Sequence, residues 1–347
     1  AGGGTPMKAL FITAPGTTEM REVARPEPGR GEVRVRVRYL GYCGSDLNTF
    51  RGLNPLVSYP RVPGHELAGV IDAVGPEVAE GFVVGTPVMV VPYTNCGECS
   101  ACRKERPNAC RNNQTLGVQR DGALAEEVVV SVSKLLTSKR LSLREMVLVE
   151  PLSVGWHAAQ RGRVAAGETV VVFGCGMVGL GAIASAASAG ARVVAVDVDE
   201  GKLGIGRAAG AAETINSKTE DLHRQLQALT EERGPDLLIE GVGLPETFRA
   251  CVEEACFAGR VVYVGYAKEP VEYATKYFVM KEIDIMGSRN ATPDDFRGVI
   301  AYLEAGRFPV DAVITQVVAF ADAGAALEMW AKNPKSVTKI LVDLGGQ

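Results

Sequence analysis

At 347 residues, with 46% apolar and 22% charged side chains, the chain has the composition of a soluble globular protein with ample core. That length suits two domains, or one domain carrying a large insertion. A net charge of −4 gives no electrostatic reason to expect nucleic acid or an anionic membrane as a partner.

The leading AGGGTP, residues 1–6, reads as a cloning remnant and is set aside from the fold. No basic stretch followed by an apolar run and a cleavage site comes after it, so no signal peptide is expected and the protein is expected to be cytoplasmic. An alternating strand, EVRVRVRYL, then leads into GYCGSDLNTF. There Cys43 stands at a strand end with glycines on both sides. A thiol so placed suits a ligand or a nucleophile, or simply a small buried hydrophobe. RVPGHELAGVIDAVGPEV follows, with His65 beside Glu66 in an apolar, glycine-spaced setting. For a lone histidine there, a core position satisfied by backbone carbonyls competes with metal ligation.

The segment NCGECSACRKERPNAC places Cys96, Cys99, Cys102 and Cys110 in one polar loop with the spacing C-x2-C-x2-C-x7-C. Four thiolates from one loop close a tetrahedral zinc site with no open position, which makes such a site structural. An iron–sulfur run would have three residues before its last cysteine and a proline after it; here the gap is seven and Arg111 follows. Zinc is the expected ion. Among the remaining cysteines, Cys251 and Cys256 fall in an expected helix and read as small buried hydrophobes, and Cys175 reads as incidental.

From residue 169 the pattern changes. TVVVFGCGMVGLGAIASAASAGARVVAVD reads as strand, glycine turn, helix and strand, not as a membrane span. Gly174, Gly176 and Gly179 form G-x-G-x-x-G between a strand and a helix, and Asp197 ends the next strand. The first glycine permits the tight turn, the second lets backbone N–H groups approach a pyrophosphate, and the third lets the helix close on the strand. Asp197 suits the ribose hydroxyls and repels a 2′-phosphate, so NAD is expected over NADP, with Lys202 near enough to soften that preference. Strands and helices alternate onward, including a strand near 212–215 and a helix over 219–232. Six strands between 169 and 287 imply a parallel doubly wound sheet. The first half, with short strands and many Gly and Pro, implies a twisted, barrel-like β domain.

Taken together, GHELAGVIDAVGPEV, the four-cysteine loop and the glycine turn resemble the zinc-dependent medium-chain alcohol dehydrogenase superfamily, in the same order from residue 7 onward. The resemblance implies an α/β fold: a GroES-like β-rich catalytic domain over 7–152 and 288–347, with its zinc loop at 93–112, around a Rossmann doubly wound parallel sheet at 153–287. It implies two zinc ions per chain, one catalytic and one structural, with NAD as cofactor. Cys43 and His65 become catalytic zinc ligands. LVEPLSVGWHA presents Glu150 where many relatives have a third cysteine ligand, and in the polyol and threonine dehydrogenase branch Glu66 also coordinates or alternates with water. The competing reading of Glu150 is a solvated carboxylate at a strand end. His157 is expected to pack in the following helix, and His223 to sit on a solvated one.

By the same resemblance Ser45 receives the alcohol proton, and the cofactor site comprises Gly174, Gly176, Met177, Val178, Gly179, Asp197, Lys202, Val242, Gly265 and Ser288. Many relatives have a histidine where this chain has Asn48, an amide that cannot titrate near neutrality, so the proton is expected to leave through water near Ser45. SYPRVPGHE and MKEIDIMGSRNATPDDF resemble hexonate 5-dehydrogenases acting on L-galactonate or L-gulonate. Arg289 is then placed to pair with a substrate carboxylate, against a cofactor contact or a structural ion pair as alternatives. Sorbitol-like polyol dehydrogenase and L-threonine 3-dehydrogenase are the rival enzymes, and a non-enzymatic zinc or nucleotide binder the rival class. A small-molecule substrate, no nucleic acid, no membrane and a homodimer or homotetramer complete the expectation. Pairing is expected through an edge strand near 282–287.

Overall fold

The computed structural model describes residues 5–345; the first four residues of the AGGGTP lead and the last two of the chain lie outside the described residues. The chain divides into two compact units, one running to Glu150 and resuming at Val313, the other spanning Pro151–Ala312. The return to the first unit therefore falls later than the 287/288 crossing read from the sequence. The helix Pro293–Glu304 packs on the helix Met177–Ser188 and so stays with the second unit.

The first unit is β-rich. Its larger sheet runs Ile314–Ala319, Lys339–Asp343, Glu32–Gly41, Glu66–Val74, Pro87–Val90 and Leu135–Leu136, with Glu127–Ser131 also pairing to Glu32–Gly41. All these pairs are antiparallel except Ile314–Ala319 with Lys339–Asp343. Alternation sets the register: Val33, Val35 and Val37 are buried with Leu67, Ile71, Val88, Val128 and Ile340 in one core. Each such side chain stabilises the fold by about 1.5–3 kcal/mol on burial. Charge ties the same strands together on another side. Arg34 Nε donates to Asp72 at 2.8 Å, and Arg25 reaches both Asp72 at 2.9 Å and Glu127 at 2.5 Å.

The second unit is a six-stranded parallel sheet in the order Glu213–Asn216, Arg192–Asp197, Thr169–Phe173, Leu237–Glu240, Arg260–Tyr263 and Asp284–Gly287. Numbered along the chain this is 3-2-1-4-5-6, the order of a dinucleotide-binding sheet. Strands such as Thr169–Phe173 are buried on both faces, which is why they read as unbroken apolar runs. Two local expectations need correction. The expected 219–232 helix is only Leu222–Leu229, because Asp221 caps it by accepting from the Arg224 N–H and the chain leaves the helix at Thr230. Cys256 lies beyond the helix Pro245–Glu254, while Cys251 sits inside it, fully buried. Among the described residues no helix is long and apolar enough to cross a membrane.

Candidate metal and nucleotide sites

Cys43 ends the loop after the strand Glu32–Gly41 and precedes the helix Gly44–Phe50; His65 immediately precedes the strand Glu66–Val74, which Glu66 opens. Because Gly41 pairs with Glu66 across these antiparallel strands, residues far apart in sequence converge. A Cys43 sulfur, a His65 ring nitrogen and a Glu66 carboxylate oxygen all lie within 4.8 Å of one another. One soft, one intermediate and one hard donor around a common point are a donor set that could hold a metal ion, of the kinds found in open, three-ligand zinc sites. The surroundings are rich in negative charge. Burial disfavours the charged His65 ring, yet Cys43, Glu150 and Asp46 outweigh it and hold its pKa well above the ordinary imidazole value.

Glu150 is as buried as His65, both at 6% exposure, but does not join the three-residue group. It lies in the first turn of the helix Val149–Arg161, not at a strand end, and Pro151 fits there because a first helical turn has no intrahelical use for its N–H. Its Oε1 accepts from the Tyr93 hydroxyl. Burial first, then Glu66, raises the Glu150 pKa, against the lowering pull of His65. Glu66 has a different partner: Lys339 Nζ donates to its Oε2 at 2.6 Å and to the Tyr42 carbonyl at 2.7 Å. Lys339 is itself buried, and Glu66 and Cys43 hold its pKa up against that burial. Gly41 leaves the room for this pair, since a Cβ there would meet Glu66 and Lys339.

In the second cluster, Cys99 and Cys102 sulfurs stand 3.6 Å apart, Cys99 and Cys110 3.9 Å, and Cys96 and Cys110 3.6 Å. A tetrahedron of sulfurs at the zinc–sulfur distance has edges of about 3.8 Å, whereas a disulfide would bring two sulfurs to about 2.0 Å. None of the four is in a disulfide. Backbone N–H groups of Cys102 and Arg111 bring the Cys99 thiol down to about 6. The sulfurs therefore fit a closed zinc site.

The nucleotide turn has the geometry its glycines imply. Gly174 has φ +95°, a left-handed conformation that favours glycine. Open space surrounds Gly176 at the start of the helix Met177–Ser188, whereas a Cβ on Gly179 would meet the Gly174 backbone. Met177 is buried and Val178 half-buried on that first turn. Asp197 ends its strand and accepts from the Cys175 N–H at 2.8 Å and from the Val198 N–H at 2.7 Å. The Lys202 N–H donates to Asp199, which caps the next helix. Val242 and Gly265 follow strands of the same sheet, and the Ser288 N–H donates to the Tyr263 carbonyl. Cys175 is inert, its thiol pushed up to about 12 by burial and then by Asp197.

Of the remaining expected residues, Ser45 is half-buried with an enclosed Oγ that has no hydrogen-bond partner, Asn48 is exposed and Arg289 half-buried. His157 packs in its helix and pairs through Nδ1 with Asp295 at 2.7 Å; His223 is exposed and pairs with Glu254. The sequence reading missed three residues of the first cluster. Asp46 accepts from the Cys43 N–H at 2.9 Å, and its Oδ1, like His65 Nδ1, is enclosed without a partner. A carboxylate three residues after the expected cysteine ligand was a legible signal. Tyr93, at the start of the zinc loop, carried none. Lys339, a cation opening the mostly apolar strand KILVD, carried a weak one.

Residues 29–140 match the alcohol dehydrogenase GroES-like domain and residues 177–305 the zinc-binding dehydrogenase domain. The chain is 32% identical to L-galactonate-5-dehydrogenase of Escherichia coli K12, over 96% of this chain and 98% of that protein. It is 30% identical to sorbitol dehydrogenase of Bacillus subtilis, over 97% of each. A solved alcohol dehydrogenase from Escherichia coli CFT073, complexed with NADH, superposes with a TM-score of 0.89 at 31% identity, covering 98% of this chain and 100% of that one. With both domains matched in order and relatives aligned over nearly their whole length, the chain belongs to the zinc-type medium-chain alcohol dehydrogenase family and is a zinc- and nicotinamide-dependent oxidoreductase.

Proposed function

We propose that this enzyme oxidises a secondary alcohol of a sugar acid to a ketone with NAD, a hexonate such as L-galactonate or L-gulonate being the best candidate. The observation that carries the reading is the convergence of Cys43, His65 and Glu66 on one point in a buried, negatively charged setting. Cys43, His65 and Glu66 would hold the catalytic zinc, with Glu150 beside them, and Cys96, Cys99, Cys102 and Cys110 a structural one. When bound, zinc supplies Lewis acidity to an alcohol oxygen and NAD accepts the hydride.

The chain's own residues do the rest. Ser45 Oγ, enclosed and unpartnered, offers an acceptor for the alcohol proton. Asn48 orients a water or hydroxyl without titrating. Asp197, with Asp199 and Glu200 just beyond it, opposes a 2′-phosphate and favours NAD over NADP. Arg289 offers a fork for a hexonate carboxylate. The edge strand Asp284–Gly287, with Ile285 39% exposed, supports pairing of two copies into a dimer or a tetramer.

Metal analysis and a substrate panel test the reading together. Two zinc ions per chain are expected, with NAD reduced faster by L-galactonate or L-gulonate than by sorbitol or L-threonine. Preference for sorbitol would move the enzyme to the polyol reading. One zinc per chain with no turnover of any secondary alcohol would overturn the proposal.

A further inference from the structure

The first cluster holds more donors than an open metal site can use. Cys43, His65, Glu66 and Glu150 make four, and four protein ligands close a tetrahedral zinc and leave no position for substrate. One carboxylate has to be withheld, and the two carboxylates are anchored in different ways. Glu66 Oε2 is neutralised by the Lys339 ammonium, which the Tyr42 carbonyl also holds, while Glu66 still contributes a ligand atom to the group within 4.8 Å. Glu150 stands outside that group, and its Oε1 accepts from the buried Tyr93 hydroxyl. The phenol is donated from the stretch just after the strand Pro87–Val90, an element separate from those carrying Cys43, His65 and Glu66, so it restrains Glu150 independently of them.

We propose that Tyr93 is a positioning residue that keeps the Glu150 carboxylate off the metal, so that Glu66 completes the Cys43–His65 set and one coordination position stays open. The inference rests on the catalytic zinc reading given above. With the hydroxyl removed, a buried carboxylate short of a hydrogen bond turns to the strongest cation available, which is the metal.

Cobalt(II) in place of zinc gives a readout independent of turnover. Wild type, Tyr93→Phe, Glu150→Gln and the double variant are compared by ligand-field absorption and by the rate at which a chelator strips the metal. The four-cysteine loop is common to all four proteins, so differences among them report the other site. Tyr93→Phe is expected to shift the ligand-field bands and to slow stripping about tenfold, the scale of a hydrogen bond to a charged group. The double variant is expected to match Glu150→Gln. Unchanged bands and rates in Tyr93→Phe, or changes that persist in the Glu150→Gln background, would overturn the role of Tyr93. A wild-type protein that takes up cobalt only in the four-cysteine loop would overturn the zinc reading itself, and that result is visible before any variant is made.

Discussion

Asn48 stands five positions after Cys43 and is exposed, so whatever it contributes to proton release it contributes as an amide. Introducing an imidazole there adds a group that titrates at about pH 6.5. Asn48→His is expected to give the pH profile of kcat a new limb near that value; a profile superimposable on wild type would remove position 48 from the proton path. At this scale the sequence was most legible where a donor type and its spacing stand in one short segment. Whereas Cys43 and His65, ambiguous alone, read as ligands only through the resemblance of the segments around them, the four loop cysteines announce themselves in that way. Lys339 does not, because its burial depends on the strand Lys339–Asp343 pairing with Glu32–Gly41, a contact between chain positions about three hundred residues apart. Read alone, a lysine at the start of KILVD looks solvated.

Among elements, the strands Glu32–Gly41, Glu66–Val74 and Glu127–Ser131 are joined by Arg25, Arg34, Asp72 and Glu127 as well as by apolar burial. Burial alone would raise the Asp72 pKa, but Arg34, then a hydrogen bond with Glu127, and then Arg25 reverse that and leave it below the ordinary carboxylate value. A depressed folded-state pKa contributes stability that is present above the unfolded value of about 3.9 and is lost as pH falls through the folded one. Asp72→Ala is expected to cost about 2–3 kcal/mol at neutral pH, below a fully enclosed pair because Arg25 is 30% exposed. Urea unfolding of both proteins across pH should show that difference narrowing below about pH 3.9; a constant difference would mean that packing, and not charge, is what the variant loses. Periodicity located these strands but could not show their partners, since an alternating pattern gives the buried face and not the neighbour. Helix ends were similarly harder to read than helix existence: the single capping Asp221 decides where Leu222–Leu229 starts, against polar residues on either side that read equally well as helix.

For the whole molecule, the two units and their order along the chain were legible because one has the two-residue period of half-buried strands and the other the glycine turn and unbroken apolar strands of a parallel sheet. The second crossing was not, because the helix Pro293–Glu304 belongs to its unit through packing and not through composition. The edge strand Asp284–Gly287 leaves one side of the parallel sheet unpaired. If a second copy covers it, Ile285→Lys should shift sedimentation from dimer or tetramer toward monomer, while a wild-type protein that sediments as monomer at micromolar concentration would remove the edge from any assembly.

The ammonium that neutralises Glu66 arrives on a strand that follows the nucleotide unit in the chain. Leu341, Val342 and Asp343 pair with Gly41, Leu40 and Tyr39, so that strand seats Lys339 only after the whole intervening nucleotide unit has been synthesised. A chain lacking that strand would leave the Glu66 carboxylate without its ammonium. Completing the Glu66 ion pair therefore depends on a segment that the chain reaches only after the whole nucleotide unit.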